Sequence, residues 1–569
     1  MLQIISGKLF EAGHPVNERE EDAVLHANYS WVQPIRTEVA ELRPIEYGGT
    51  PIATYAVRYK SRYQPTEGDI LVHPNAAPAI EQLRRLATIW FRAIFHPDLV
   101  YVETLCRGHH RHSHSEIVPR NFVQHFFDVP KRGTADEVTG FSNFVDKVIG
   151  LPRQTFKAYM ASVSMFADAI ESISTNFDLA YSMFVYLLEA LGQSSAPYIA
   201  EWEDYDQNVR VRLDPLLAQL PGDAAANIRE TLLRGQQLKL TKRFKGFVQA
   251  NLEDSFFTDE ASDISRALPK SQLDHALGNL YKTRSGFVHE LRKVHDQLHM
   301  PTFEASDIFT WGNDTFLTMS GVVRLTRHVL LTFARKSPFL ATENYPEWRR
   351  ELPGIITVQF APHLWIWQAE NFTPPQAAMR LSGLLESMTT ELIKPEPILP
   401  NLTALMTRIE GIVDQAGPSD RMTLIAIYSV YNRAMAEELR HPGYREFLGR
   451  HLQELQCCHV GFLAGDVLTT ANLHRWPVAD CVDVFTQYLK TRHRENAINL
   501  PVVLEAAIAL AIANLYLAQN QFAEYRYWAN RAIFDLAGHR AAQTIIADQL
   551  TGQAELPVHV AIGAPQDEG

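Results

Sequence analysis

An arginine and a histidine held near one phosphodiester could cleave it. The guanidinium stays charged and holds the phosphate, while an imidazole titrating near neutral pH moves the protons. The spacing Arg-x-x-x-x-His occurs three times in this chain: Arg107/His112, Arg120/His125 and Arg284/His289. With 22 histidines in the sequence, about one or two such matches are expected by chance, so the surroundings of each must decide. The first lies in "CRGHHRHSHSE", where Cys106, His109, His110, His112 and His114 could in principle ligate zinc. A zinc site needs three or four ligands converging on one tetrahedron. These ligands are crowded into one short stretch with no matching Cys or His pair downstream, so the stretch reads as a solvated polar loop and no metal is expected. The second lies in "PRNFVQHFF", whose apolar spacing suggests a surface pair beside an edge strand.

The third match, in "YKTRSGFVHE", is embedded differently. Leu273, Ala276, Leu280 and Tyr281 lead into it at helical spacing, and Phe287, Val288 and Leu291 lead out. Gly286 in mid-helix costs about 1 kcal/mol against alanine. Close approach of another backbone would give it a reason. Residues five apart on an ideal helix are separated by about 140°, so one straight helix does not focus both side chains on one atom. Two copies across a two-fold axis could supply them to a shared cleft. Nearby, "LKLTKRFKGF" offers Lys239, Lys242, Arg243 and Lys245 with Phe244 and Phe247, and Lys282, Arg292 and Lys293 flank the match. Such groups suit phosphate contacts and base stacking, although a charge run also reads as a solvated face.

Several elements must position these residues. At 569 residues the chain is long enough for roughly three or four domains. With 46% hydrophobic and 21% charged residues, it falls in the ordinary globular range. No apolar run is long enough to span a bilayer, and the opening residues lack a secretory pattern. Four cysteines do not make a disulfide framework, which suggests a reducing cytoplasm. A net charge of −12 argues against a general positive coat for nucleic acid but leaves room for a local basic groove.

The expected fold class is mainly α and multidomain. Residues 1–135 are predicted to form an α/β sensor or regulatory domain, with strands in "TPIATYAVRYKSRY" and "DLVYVETLC" around a helix in "APAIEQLRRLATIWFRAIF". "KRGTADEVTG" reads as a polar link. Residues 144–340 read as helical, with helices in "NFDLAYSMFVYLLEALG", ending at Gly192 as a C-cap, in "SQLDHALGNLYKTRSGFVHELRKVHDQLH" and in "WGNDTFLTMSGVVRLTRHVLLTFARK". Residues 341–400 form a proline-rich connecting segment in which "GIITVQF" could be a strand. Residues 401–548 are helical, and 549–569 are expected to be a disordered tail. Within the C-terminal helices, Ala513, Tyr516 and Ala532 are similar to the small and aromatic positions of a tetratricopeptide repeat, while Tyr525 and Ala529 depart from it.

The segment "LYKTRSGFVHE" resembles the signature of the HEPN superfamily in its Apea-like branch. Arg284, the adjacent polar Ser285 and His289 fall in the signature's order, although Ser285 stands where asparagine or aspartate is common. The branch also carries a glutamate near the end of an upstream helix, matched here by Glu189 in "YLLEALG", and a long helix downstream, matched by "VVRLTRHVLLTFARK". The resemblance covers residues 177–336. It implies a helical domain that dimerises and a metal-independent endoribonuclease with no cofactor. Arg284, His289, Ser285 and Glu189 would be catalytic, and the basic residues named above would bind RNA. By analogy, a regulated defence or toxin-like RNase is expected, with a possible protein partner at the C-terminal helices and no membrane association. The rival expectation is a non-catalytic HEPN and helical-repeat adaptor that scaffolds a protein complex.

Overall fold

The computed structural model describes residues 1–45, 51–64, 77–107, 117–123, 125–195, 201–205, 207–235, 240–301, 305–352, 362–364, 366–392, 394 and 399–563. The molecule is mainly α, with an α/β region at its N-terminus. It divides into two compact units, Met1–Thr357 and Val358–Gly569.

In the first unit a five-stranded sheet is built around two long antiparallel strands, Asn17–Ala27 and Ala53–Tyr63. They pair from Asn17 with Tyr63 to Ala27 with Ala53. The inner half of this pair buries Leu25, Ala27, Tyr55 and Val57. The helix Ala77–Phe91 packs on two later helices, Ala135–Ile149 and Arg153–Ser172. One continuous hydrophobic core runs from the sheet through these helices to Phe177–Ser195, Leu273–Glu290 and Met319–Lys336.

Four segments of the first unit differ from the sequence expectation. "DLVYVETLC" is the helix Leu99–Arg107 rather than a strand. Asp98 accepts the backbone N–H groups of Val100 and Tyr101 at 2.8 and 3.3 Å, and Val102, Leu105 and Cys106 fall on one buried face. That cap and three-four spacing override the strand preference of the β-branched residues. "KRGTADEVTG" is less a link than a helix start. The Thr134 hydroxyl accepts the Glu137 N–H and the Glu137 carboxylate accepts the Thr134 N–H, a reciprocal capping box. "WGNDTFL" is no part of the helix that follows it; it belongs to the hairpin Ile308–Trp311 and Asp314–Leu317, turned through Gly312 at φ 60°. A two-residue Gly-Asn turn suits the twist of a tight hairpin. "PRNFVQHFF" likewise forms a short 3-10 turn at Pro119–Asn121 and not an edge strand.

The helix Met319–Lys336 begins at Thr318, whose hydroxyl accepts the Gly321 N–H at 3.0 Å. Gly321 is required there, because a Cβ would lie 2.1 Å from the Asp307 carbonyl oxygen.

The second unit has its own core. Its helix Val502–Ala518 is apolar around its circumference, and its residues from Leu504 to Ala513 are buried. Such a helix has to sit inside a bundle. It packs against Val460–Thr470, Val478–Thr491, Phe522–Asp535 and Val558–Ile562. Ala513 and Ala532 are buried. Helix already begins at Ala377–Leu392, inside the segment read as a connector, and past 548 helix runs through Thr551 and again over Val558–Ile562, which packs into the core where a disordered tail was expected. "GIITVQF" lies outside the described residues. No helix among the described residues is long and apolar enough to cross a membrane.

Candidate functional site

The structure brings Glu189 and Arg284 together. Glu189 lies on the helix Phe177–Ser195, which starts with the Asn176 side chain accepting the Leu179 N–H at 3.1 Å. This helix passes its expected end at Gly192. A Cβ at Gly192 would lie 3.0 Å from the Phe247 side chain, so the glycine admits a neighbouring helix rather than stopping its own. Arg284 lies on the helix Leu273–Glu290, which packs against the Glu189 helix.

The guanidinium Nη2 of Arg284 is 2.6 Å from Glu189 Oε2. The contact is an ion pair without well-directed hydrogen-bond geometry, since Glu189 Oε2 and Arg284 Nε are both buried with no hydrogen-bond partner. The other carboxylate oxygen accepts from the Tyr281 hydroxyl at 3.2 Å and the Gln193 amide at 3.3 Å. The guanidinium carbon lies 4.2 Å from the centre of the Tyr186 ring and 5.5 Å from that of Tyr281. Arg284 is therefore held between two aromatic faces with one buried carboxylate balancing its charge. Burial raises the Tyr281 phenol to about 12, with the Glu189 charge adding to the effect. It stays a neutral donor to that carboxylate.

Ser285 is half-buried and His289 is exposed. The helix ends at Glu290, the residue after His289. Leu291 adopts a left-handed conformation at φ 52° and the Arg292 N–H returns to the Gly286 carbonyl at 3.1 Å. This left-handed turn ends the helix within the stretch read as continuous. The chain that follows is fastened to the first turn of the Glu189 helix. Asp178 accepts the Val294 N–H at 2.9 Å and pairs with His299 at 3.3 Å. At Gly286 itself a Cβ would meet only Arg292 atoms, at 3.8 Å or more, an ordinary contact.

The basic residues are dispersed. Lys282, Arg292 and Lys293 are exposed, and Arg292 pairs with Glu290. Lys242 is exposed, and Arg243 donates to the Gln193 carbonyl at 3.4 Å. Lys245 is tied to Asp274 at 2.9 Å. Phe244 is a core residue against Tyr281, with ring centres 5.5 Å apart, and so presents no face for a base. Lys239 lies outside the described residues, as do His109, His110, His112 and His114. Cys106 is buried in its helix, and burial pushes its thiol up to about 12. Arg120 and His125 are exposed, with His125 bonded to Asp128 at 3.0 Å.

The partners Tyr186, Gln193 and Tyr281 escaped the sequence reading. Tyr186 precedes Glu189 by three residues and Tyr281 precedes Arg284 by three. Each is thus a same-face helical neighbour of one charge while contacting the other across the helix pair, and the three-residue spacing is the signal that could have found them.

No family model, curated protein or solved structure matches the chain. The HEPN resemblance therefore rests on this chain's own residues.

Proposed function

We propose that the first unit is a metal-independent endoribonuclease of the HEPN type. The observation that carries the reading is the buried contact between Glu189 and Arg284. They lie on different helices, and the signature resemblance selects them together. In this reading the ribose 2′-oxygen attacks the adjacent phosphorus and the bond from phosphorus to the 5′-oxygen breaks. His289, exposed and free to meet substrate, takes the 2′-hydroxyl proton or gives one to the leaving 5′-oxygen. The products are a 2′,3′-cyclic phosphate and a 5′-hydroxyl. Arg284 balances the charge that builds on the phosphate. Its Nε–H has no acceptor, which is unusual for a buried donor and leaves one hydrogen bond to offer. Glu189 and the two tyrosines orient it, and Ser285 adds a hydroxyl beside it. A two-fold dimer would place two such sets in one cleft. A regulated, toxin-like RNase is the biological role that fits this chemistry.

A second reading is favoured by the burial of Arg284, which is 9% exposed. An arginine so enclosed and paired can serve as a structural brace in a non-catalytic adaptor. Incubating the purified protein with total cellular RNA, with and without chelator, separates the two. The ribonuclease reading expects cleavage in both conditions and none from His289→Ala. Intact RNA in every lane would favour the adaptor.

A further inference from the structure

A cavity of about 460 Å³ opens elsewhere in the first unit. It forms where the end of the helix Ala77–Phe91, the segment around His125, the start of Ala135–Ile149, the loop 259–264 and one face of Met319–Lys336 meet. That volume suits a small-molecule site.

Its lining holds arginines beside the carboxylates of Glu137 and Glu260. Arg327 spends two donors on the Ile89 and Trp90 carbonyls, at 2.7 and 2.8 Å. Behind the wall, the Lys131 ammonium binds the carbonyls of Phe91, Arg92 and His125 at 2.7, 3.0 and 3.3 Å. Arg92 extends to solvent, and its guanidinium has no partner among the described residues. No carboxylate among them lies within ion-pair distance of any of the three cations. Burial, together with the nearby Arg92 charge, lowers Lys131 to about 7 and Arg327 to about 10. Glu137 and Glu260 offset part of this charge from beyond ion-pair distance, and the helix C-terminus offsets a further part.

The backbone is strained at the same place. Arg92 and His125 are non-glycine residues at φ 50° and 60°, a conformation that costs each about 1–2 kcal/mol. Lys131 ties their carbonyls together. Strain held in place by surrounding bonds is a frequent mark of a ligand site.

The lining also carries two further acids on the loop 259–264. Asp259 and Asp263 are exposed, and neither carboxylate has a cation within 4 Å among the described residues. The other two lining acids are engaged, Glu137 in its capping box and Glu260 with His328 at 2.8 Å. Trp90, Val123, Phe126 and Ile264 supply apolar wall.

We propose that this cavity binds a small phosphomonoester of nucleoside monophosphate size, with its phosphate on Arg92 and Arg327 and an exocyclic amine directed at Asp259 and Asp263. The assignment stands apart from the ribonuclease reading, because none of its residues belongs to the Arg284 site.

Calorimetric titration of the full-length protein with AMP, adenosine and inorganic phosphate tests it. AMP should bind saturably and at least about tenfold more tightly than either fragment, since each charge-assisted bond is worth about that factor. Arg92→Ala removes a side chain without protein partners and should leave the fold intact. It should weaken AMP about tenfold and leave adenosine unchanged. Asp263→Asn should weaken AMP and adenosine but not phosphate. No saturable heat with AMP up to about 5 mM, AMP no tighter than adenosine, or full AMP affinity in Arg92→Ala would each overturn the proposal.

Discussion

Replacing Glu189 by glutamine tests whether the Arg284 contact organises the site. Glu189 is 6% exposed and the Arg284 side chain 11%, so the substitution leaves a guanidinium charge buried without its counter-charge. Breaking such a pair costs about 3–5 kcal/mol. Arg284 keeps the faces of Tyr186 and Tyr281, and glutamine still accepts from Tyr281 and Gln193, which places the expected loss near 3 kcal/mol. At an unfolding entropy of about 2.1 cal/mol/K per residue, the 357 residues of the first unit give about 0.75 kcal/mol/K, and hence a fall in Tm of about 4 °C. Differential scanning calorimetry would measure it. Arg284→Met should cost a similar amount. The double variant should lose about 2 kcal/mol less than the summed single losses, because the second change removes a charge already stranded. Unchanged Tm in Glu189→Gln, or strict additivity in the cycle, would refute the reasoning.

Other outcomes follow from the same geometry. His289→Ala should leave Tm within about 1 °C of wild type, as expected for an exposed side chain, while abolishing RNA cleavage; a large fall in Tm would contradict its surface placement. Gly286→Leu should leave the protomer folded, because a Cβ has room there, but weaken self-association in light scattering; undiminished dimer would remove Gly286 from the interface. Gly321→Ala should destabilise by at least about 2 kcal/mol, since its Cβ would overlap the Asp307 carbonyl; denaturant titration checks this. Glu351 has some burial raising its carboxyl, but bonds from Lys157, Arg153 and Tyr345 prevail and hold it at about 2. Its contribution is therefore complete above the ordinary glutamate range and lost as pH falls through about 2. Glu351→Gln should flatten the acid limb of a Tm-against-pH curve, and an identical limb would contradict the assignment.

The helices that carry the candidate site were legible because apolar residues recur at helical spacing over Phe177–Ser195 and Leu273–Glu290, and Asn176 caps the first of them. The misreadings have local causes. In "DLVYVETLC" the aspartate cap outweighs β-branched composition, and at "WGND" a Gly-Asn turn interrupts an otherwise helical stretch. The basic run looked like a nucleic-acid surface because sequence does not show that Phe244 faces the core or that Asp274 meets Lys245. The resemblance named Glu189 and Arg284 as members of one site, but the sequence does not show that their side chains meet. The cavity at Arg92 and Arg327 was invisible, since segments far apart in the sequence build it.

The chemical ends of cut RNA test the central claim most directly. RNA incubated with the wild-type protein in excess chelator should yield fragments with 2′,3′-cyclic phosphate and 5′-hydroxyl ends, and a DNA of the same sequence, lacking the 2′-hydroxyl nucleophile, should remain whole. Fragments with 5′-phosphate ends, cleavage of the DNA, or the same fragments from a folded His289→Ala protein would contradict it.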